Sequence, residues 1–257
     1  MIYVIGSTGL VGSAICDYFE KIGTDYIGIN RGNYQKYMGT TADVLVNANG
    51  SGFKGRANED PKTDFGNNVQ STVNLAFDFK FKTFIHVSSV DVYPQPYSIK
   101  ATSEDVAIDP MTLHPYGFHK YLSELIVRRY CPNWVILRLG GLVGKKLKKN
   151  PIYDWTHDKP LLISAKSELT FIHTDIVAEI VNLLIAKDVD KEIINVCSSD
   201  SIRLQDLDSV SGFKIRESLM QAGLAVQKYH INGDKLRRFF PVKTSREYIG
   251  KYLRENL

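Results

Sequence analysis

The chain opens Met1-Ile2-Tyr3-Val4-Ile5-Gly6-Ser7-Thr8-Gly9-Leu10-Val11-Gly12, and the reading of that stretch decides the fold. Residues 2–5 form a short unbroken apolar run, the pattern of a strand buried on both faces of a parallel sheet. A helical pattern follows the glycines, with Leu10, Ile15, Tyr18, Phe19 and Ile22 in phase and Gly23 as its stop. Strand, Gly-x-x-Gly-x-x-Gly turn and helix make a phosphate cradle. Glycine lets the backbone bend tightly and approach a pyrophosphate, while the helix N-terminus offers N–H groups and positive potential. Gly6, Ser7, Thr8, Gly9, Leu10, Val11 and Gly12 are therefore candidate cofactor-binding residues. The expected fold is a doubly wound parallel α/β sheet.

Outward from the cradle, the run Tyr26-Ile27-Gly28-Ile29 ends in Asn30-Arg31. An acidic residue about 20 positions past the glycines would bond the ribose hydroxyls of NAD. None stands here, and the Arg31 guanidinium suits the extra phosphate of NADP. NADP(H) is favoured on that ground, with NAD(H) left open. The segment from Gly32 to Asp43 is short, so one crossover of the fold must be abbreviated. The strand Val44-Leu45-Val46 runs into Asn47-Ala48-Asn49-Gly50, small and polar residues that let a cofactor pass over a sheet edge. Ser51 to Asp64 reads as a mobile polar loop, followed by a helix over about 65–79 with Val69, Val73, Leu75 and Ala76 inward. Phe81 to Val87 is another buried strand. It delivers Ser88 and Ser89 at its carboxyl end, where α/β folds place ligands.

The second informative stretch is His114-Pro115-Tyr116-Gly117-Phe118-His119-Lys120. On a helix, Tyr116 and Lys120 sit at i and i+4 and share a face. An ammonium beside a phenol favours its ionised form, from a free value near 10. At about 4 Å and an effective dielectric of about 20, one such charge is worth roughly 4 kcal/mol before desolvation. Tyr116 could then exchange a proton with a carbinol or carbonyl, and Ser89 could hold the same oxygen. The expected helix spans about 116–130, with Tyr121, Leu122, Leu125 and Ile126 on its apolar side and His119 at the surface.

Farther on, Trp134 to Leu139 reads as a strand and Lys145 to Ser167 as an irregular insertion outside the core. A helix from Asp175 to Ala186 is capped by Thr174, Ile193 to Val196 is a last core strand, and Leu204–Val210 is helical. Thr244 and Glu247 make a capping box for a closing helix. The expected division is a dinucleotide-binding core at 1–144 plus about 168–197, with 145–167 and 198–257 forming a small substrate-binding lobe.

Composition agrees with an ordinary soluble globular chain: 257 residues, 44% hydrophobic and 23% charged, enough for one large α/β domain with an appendage. The net charge of +4 is small and scattered, which gives no case for nucleic acid. Cys16, Cys131 and Cys197 are far apart and the six histidines lack metal spacing, so neither a disulfide framework nor a metal site is expected. The first strand begins at once, leaving no room for a signal peptide. The longest apolar run, near Trp134 to Val143, contains Arg138 and is far short of a membrane span. The expectation is a cytoplasmic protein with no membrane partner.

With glycine turn, serine strand and Tyr-x-x-x-Lys together, the chain resembles the extended short-chain dehydrogenase/reductase superfamily, and within it the NAD(P)-dependent epimerase/dehydratase family of nucleotide-sugar enzymes. Its Gly6 to Gly12 turn has that branch's spacing. Asn68-Val69-Gln70-Ser71-Thr72 is similar to the family's Asn-Val-x-Gly-Thr helix start, and Val87-Ser88-Ser89-Val90-Asp91-Val92-Tyr93 to its Ser-Ser-x-x-Val-Tyr segment. Glu104, Pro110, Leu137-Arg138-Leu139 and Phe171-Ile172-His173-Thr174-Asp175-Ile176 resemble further landmarks, and the likeness covers about residues 1–200. Two departures stand out. Many members are longer, so the substrate part here is cut down. Ser89-Val90-Asp91 also replaces the Thr-Asp-Glu of sugar dehydratases; Val90 cannot protonate a leaving hydroxyl, which argues against dehydration.

The resemblance implies catalysis by Ser89, Tyr116 and Lys120, with Lys120 lowering the tyrosine's pKa and binding the nicotinamide ribose. It implies further cofactor contacts from Asn30, Arg31, Asn47, Ala48, Asn68 and Val87. Substrate contacts would come from Ser89, Asp91, Tyr116, Asn150 and the lysine knot that starts at Lys145, which could clamp a diphosphate. The leading expectation is reduction of a keto-sugar linked to a nucleoside diphosphate. The alternatives are a nucleotide-sugar C4 epimerase with retained NAD and, in another class, a non-catalytic NADP-sensing or scaffold protein. A homodimer through the helices near 65–80 and 116–130 is also implied.

Overall fold

The computed structural model describes residues 1–211 and 217–256. Five strands, β1 (Ile2–Ile5), β2 (Tyr26–Ile29), β3 (Thr41–Asn47), β4 (Lys80–Ser89) and β5 (Asn133–Leu139), and an edge strand Glu192–Val196 form one six-stranded sheet. Its order is β2-β1-β3-β4-β5-edge, and every pairing is parallel. Because strand side chains alternate, each strand feeds two cores. Ile2, Val4, Val46, Ile85, Val135 and Leu137 pack on one face with Ile15 and Phe19 of helix α1 (Leu10–Ile22) and with Val177, Ile180 and Val181 of helix Thr174–Ala186. Tyr3, Ile5, Leu45, Phe84 and Ile136 face the other way, onto Leu75 and Val127 of the helices Ser71–Asp78 and Pro115–Tyr130. Each such fully buried aliphatic or aromatic side chain is worth about 1.5–3 kcal/mol of transfer free energy, so the two-faced burial explains the unbroken apolar runs.

The abbreviated crossover is real. Between β2 and β3 stands a single helical turn, Tyr34–Tyr37. The strand order is therefore that of a sheet whose first wing stops at β2, without the outer strand of the 3-2-1-4-5-6 arrangement.

Several local expectations change. The segment expected as a mobile loop at 51–64 contains helices Lys54–Glu59 and Pro61–Phe65. Asp60 caps the second by accepting from Thr63 N at 3.0 Å, and Pro61 supplies a preset first turn. The next helix starts with a π turn over Gly66–Gln70 before Ser71–Asp78. In helix Pro115–Tyr130 the buried face is not the apolar one: Tyr116, His119, Lys120, Ser123 and Glu124 turn inward, while Leu125 is exposed. The reason is that this face meets polar groups. Glu124 pairs with the buried Arg138 at 2.7 Å, and His119 meets Asp64 at 2.7 Å, so His119 is not a surface residue. Leu147, Ile152 and Trp155 of the expected insertion join the larger core cluster. The 174–186 helix includes Thr174, and the His173 ring rather than Thr174 accepts from Asp175 N. The capping box forms as read, Thr244 N donating to Glu247 Oε2 at 2.9 Å and Glu247 N to Thr244 Oγ1 at 3.3 Å. Among the described residues no helix is long and apolar enough to cross a membrane.

Candidate functional site

Since all six strands point the same way, their carboxyl ends make one edge, and the chain switches direction there between β1 and its two neighbours. The glycine turn sits at that switch. Gly6 takes a left-handed φ of 77°, and the N–H groups of Gly6 and Ser7 both donate to Ile29 O, at 2.9 and 3.2 Å. A Cβ on Gly12 would lie 2.2 Å from Gly6 O, and one on Gly6 would lie 2.8 Å from Ala48 O. Backbone therefore occupies the space that side chains would need. Helix α1 has no side-chain cap and no acidic residue in its first turn. Its first N–H groups and positive end are left for an anion, and the cradle fits a dinucleotide pyrophosphate.

The other expected cofactor residues are distributed along the same edge. Asn30 is committed to its turn, with Oδ1 accepting from Gly32 N at 2.8 Å, while Arg31 is exposed beside it. Asn47 is buried; its amide nitrogen lies 3.2 Å from His86 Nδ1 and its Oδ1 accepts from Asn49 N at 3.1 Å. Asn68 sits in the π turn, a distortion often found at functional sites. Its amide nitrogen donates to Asp64 Oδ1 at 3.1 Å, and its Oδ1 accepts from Ser51 N at 3.3 Å.

Ser89, Asp91 and Tyr116 converge at the end of β4. Ser89 Oγ donates to Asp91 Oδ2 at 2.9 Å and accepts from Asp91 N at 3.2 Å, the first turn of a short 3₁₀ segment. Burial first, then the charge of Asp91, pushes the Tyr116 phenol above its ordinary value, with Lys54 and a Ser89 hydrogen bond pulling the other way. The spacing argument expected the reverse. Its premise fails because the Lys120 ammonium turns to the carbonyl of Val87, donating at 2.7 Å. Burial also brings Lys120 itself down to about 8. Tyr116 is held as a protonated phenol.

Two residues that the sequence did not single out, Lys54 and Tyr229, stand at the site together with Lys149 of the lysine knot formed by Lys145, Lys146, Lys148 and Lys149. Lys54, from the segment over the crevice, pairs with Asp91 Oδ1 at 2.6 Å and donates to the Tyr229 hydroxyl at 2.9 Å. Tyr229, from the C-terminal part of the chain, donates to the same Asp91 oxygen at 2.6 Å, and burial first pushes its phenol up to about 12. Lys149 stands 3.1 Å from the centre of the Phe53 ring, and a Cβ on Gly52 would be 3.6 Å from its Nζ and 3.9 Å from the Tyr116 hydroxyl. Burial, then Arg56, lowers this amine to about 7. Lys145, by contrast, is 84% exposed on its side chain and lies 4.0 Å from Asp17 on α1. Asn150 spends its amide locally, donating to Leu142 O at 2.7 Å and accepting from Tyr153 N at 2.9 Å. Within the lysine knot, then, Lys149 rather than Lys145 approaches Tyr116. For Lys54 and Tyr229 no sequence signal was available, since they meet Asp91 only through tertiary packing.

The family model described as NAD dependent epimerase/dehydratase family matches residues 2–197. No curated protein matches the chain. Among solved structures, a UDP-galactose 4-epimerase shares 20% identity at a TM-score of 0.77, over 100% of this chain and 99% of that one. A UDP-glucuronic acid 4-epimerase from Bacillus cereus, in complex with NAD and a fluorinated UDP-sugar, shares 18% at 0.80, again over 100% and 99%. A dTDP-4-dehydrorhamnose reductase from Bacillus anthracis in complex with NADP shares 13% at 0.77, over 99% and 98%. At these identities the likeness speaks for the fold, and the family model speaks for descent. The chain belongs to the NAD-dependent epimerase/dehydratase family and is an NAD(P)-dependent enzyme.

Proposed function

We propose that the protein reduces a keto-sugar carried on a nucleoside diphosphate, with Tyr116 as general acid. The observation that carries this reading is a phenol kept protonated by burial and Asp91 at the carboxyl edge of the sheet, beside Ser89. A protonated donor is what a carbonyl needs as it becomes an alcohol. The residues from Gly6 to Gly12 would hold the pyrophosphate, with Asn30 and Arg31 at the adenosine end and Ala48, Asn68, Val87 and Lys120 nearer the nicotinamide. The exposed Arg31 favours NADP(H). When bound, the dinucleotide supplies hydride transfer at its nicotinamide. The chain's own residues do the rest: Tyr116 delivers its proton to the reacting oxygen, Ser89 orients the phenol, and Lys149 offers a cation for the substrate's diphosphate.

A second reading, a C4 epimerase with retained NAD, has its own support. Tyr116 is only 9% exposed beneath the segment that carries Gly52 and Lys54, a closure suited to keeping a cofactor and a keto intermediate in place. Absorbance of the purified protein and NADPH oxidation with a panel of UDP-, dTDP-, CDP- and GDP-linked keto-sugars separate the two. A reductase arrives largely empty and consumes NADPH only with its keto-sugar. Tightly bound NAD and epimer interconversion without net cofactor use would replace the first reading with the second. If Tyr116→Phe left every turnover intact, catalysis at this site would be rejected in favour of a sensing or scaffold role. The homodimer reading is supported by an apolar strip on the outer helix pair, where Phe77 is 64% and Tyr130 52% exposed with rings 5.2 Å apart.

A further inference from the structure

We propose that Asp91 is the terminal proton acceptor and donor for Tyr116, reached through the Ser89 hydroxyl, with Lys54 and Tyr229 fixing the carboxylate in place. The proposal rests on the oxidoreductase reading above. Its starting point is a count of hydrogens. Ser89 has one hydroxyl hydrogen, and in the structure Asp91 Oδ2 accepts it at 2.9 Å. The Ser89 hydroxyl is also the hydrogen-bond partner of the Tyr116 phenol; while its hydrogen is on Asp91 it presents only a lone pair, so the neutral phenol donates to serine, and it is only toward an ionised phenol that the same hydroxyl would turn and donate. The chain of hydroxyls has a direction, and its end is a base.

The far side of that base is also fixed. Asp91 Oδ1 accepts from the Tyr229 hydroxyl at 2.6 Å and pairs with Lys54 Nζ at 2.6 Å. Two donors from different segments hold one oxygen, which leaves the other free to turn on Ser89. Such a tripod has no evident packing purpose: Asp91 is 13% and Lys54 47% exposed on their side chains, so the pair sits at the crevice mouth. Val90, buried at 3%, cannot contribute a proton, so the carboxylate two residues after Ser89 is the acid/base group that the turn itself presents.

The oxidising direction moves three protons and one hydride. The substrate's carbinol proton passes to the Tyr116 oxygen as the phenol's hydrogen moves to Ser89 Oγ and the serine's hydrogen moves to Asp91 Oδ2. The carbon–hydrogen bond breaks with its electron pair leaving as hydride to an oxidised nicotinamide dinucleotide. A ketone and a carboxylic acid at position 91 result. Reduction runs the same transfers backward, and Asp91 reloads from water past the half-exposed Lys54. This route needs no tyrosinate, which removes the difficulty that Tyr116 is held neutral. Asp91 acts through Ser89 and is a positioning and relay residue, not a catalytic one in contact with the sugar.

The test compares the full-length protein with Asp91→Asn, Asp91→Glu and Tyr229→Phe. The first readout requires no substrate: tyrosinate absorbance along a pH titration, taken as the difference from the matching Tyr116→Phe protein. Charged groups facing this phenol are Asp91, Lys54 and Asp64, with Lys149 across Gly52 and Lys120 on its own helix. Asp91→Asn should bring ionisation of Tyr116 to lower pH, and Asp91→Glu should leave it near the original. An unshifted titration in Asp91→Asn overturns the relay. The second readout is turnover of a nucleotide sugar with NAD(P): Asp91→Asn should lower kcat about 100-fold with KM little changed, and Asp91→Glu should recover part of it. Turnover and pH profile unchanged in Asp91→Asn would also overturn the proposal. Should Asp91→Asn fail to fold, Tyr229→Phe serves instead. Loss of that hydroxyl removes one of the two holds on Asp91 Oδ1, so kcat should fall several-fold with KM little changed, and an unchanged kcat counts against the relay. A chain that binds neither dinucleotide nor nucleotide sugar fails the functional reading alone, because the absorbance titration still reports on Asp91.

Discussion

Two charge clusters flank the Tyr116 helix, and they differ in what they leave unused. Inside the fold, Glu124 accepts three bonds from Arg138 and one from Ser88, while Arg138 also donates to Tyr93, whose hydroxyl donates to Asn195. Glu124 and Arg138 are 0% and 2% exposed on their side chains, and the network is dry and committed to itself. At the crevice, Lys54, Asp91 and Tyr229 are partly open to water above the buried Ser89, and the group holds donors and lone pairs that a substrate can claim. The first cluster fixes the helix against the sheet; the second is available for exchange. A filled network argues for architecture, and one with spare valence at a strand's carboxyl end argues for chemistry.

Breaking the inner cluster should show up first as instability. Glu124→Leu leaves Arg138 buried without its carboxylate, and a loss of about 3–5 kcal/mol is expected, measured as a fall in urea midpoint. A loss under about 1 kcal/mol would show the cluster to be less committed than its geometry indicates. At the outer cluster the penalty should fall on rate instead. Tyr116→Phe should cost about 10²–10⁴-fold in turnover while the melting temperature and cofactor affinity stay near those of the parent. Comparable destabilisation by both changes would erase the distinction.

Lys149 gives a pH test of the open side. Its folded-state value of about 7 lies below the ordinary 10.5. Between those values the unfolded chain binds more protons than the folded one, so stability should rise with pH from about 7 to 10.5. Lys149→Met should flatten that rise, and nucleotide-sugar affinity in the parent should weaken above about pH 7 as the cation is lost. An identical rise in Lys149→Met would assign the effect to another group. The smallest expected effect on activity is that of Phe77→Glu on the outer helix pair, which should halve the mass in solution and leave turnover near the parent's. A parent that is already monomeric removes that prediction together with the dimer.

Much of this arrangement was legible in the sequence because it depends on local periodicity. The cradle, the two-faced strands and the glycines follow from patterns a few residues long, and the register of β1 against β2 and β3 adds only what a parallel sheet requires. The convergence of Ser89 with Tyr116 was readable because strand ends and a helix start deliver them. What escaped was anything decided by partners distant in sequence. Leu122, Leu125 and Ile126 suggested an inward apolar face, but the helix turns Lys120 and Glu124 inward because Arg138 and the Val87 carbonyl await them. Tyr116, Lys120 and Glu124 stand at i, i+4 and i+8, and that polar line was the available clue. Lys54 and Tyr229 are separated by 175 residues and gave none.

The missing outer strand has a consequence for how the enzyme keeps its cofactor. With β2 at the margin of the sheet, three of its four residues are only partly covered, and the exposed Arg31 follows on an open flank. On the proposed reading, an adenosine half laid against this flank would have a floor and no side wall, so its hold would fall mainly to the glycine turn. Such a berth suits a coenzyme that arrives, reacts and departs in every cycle better than one kept for the lifetime of the protein.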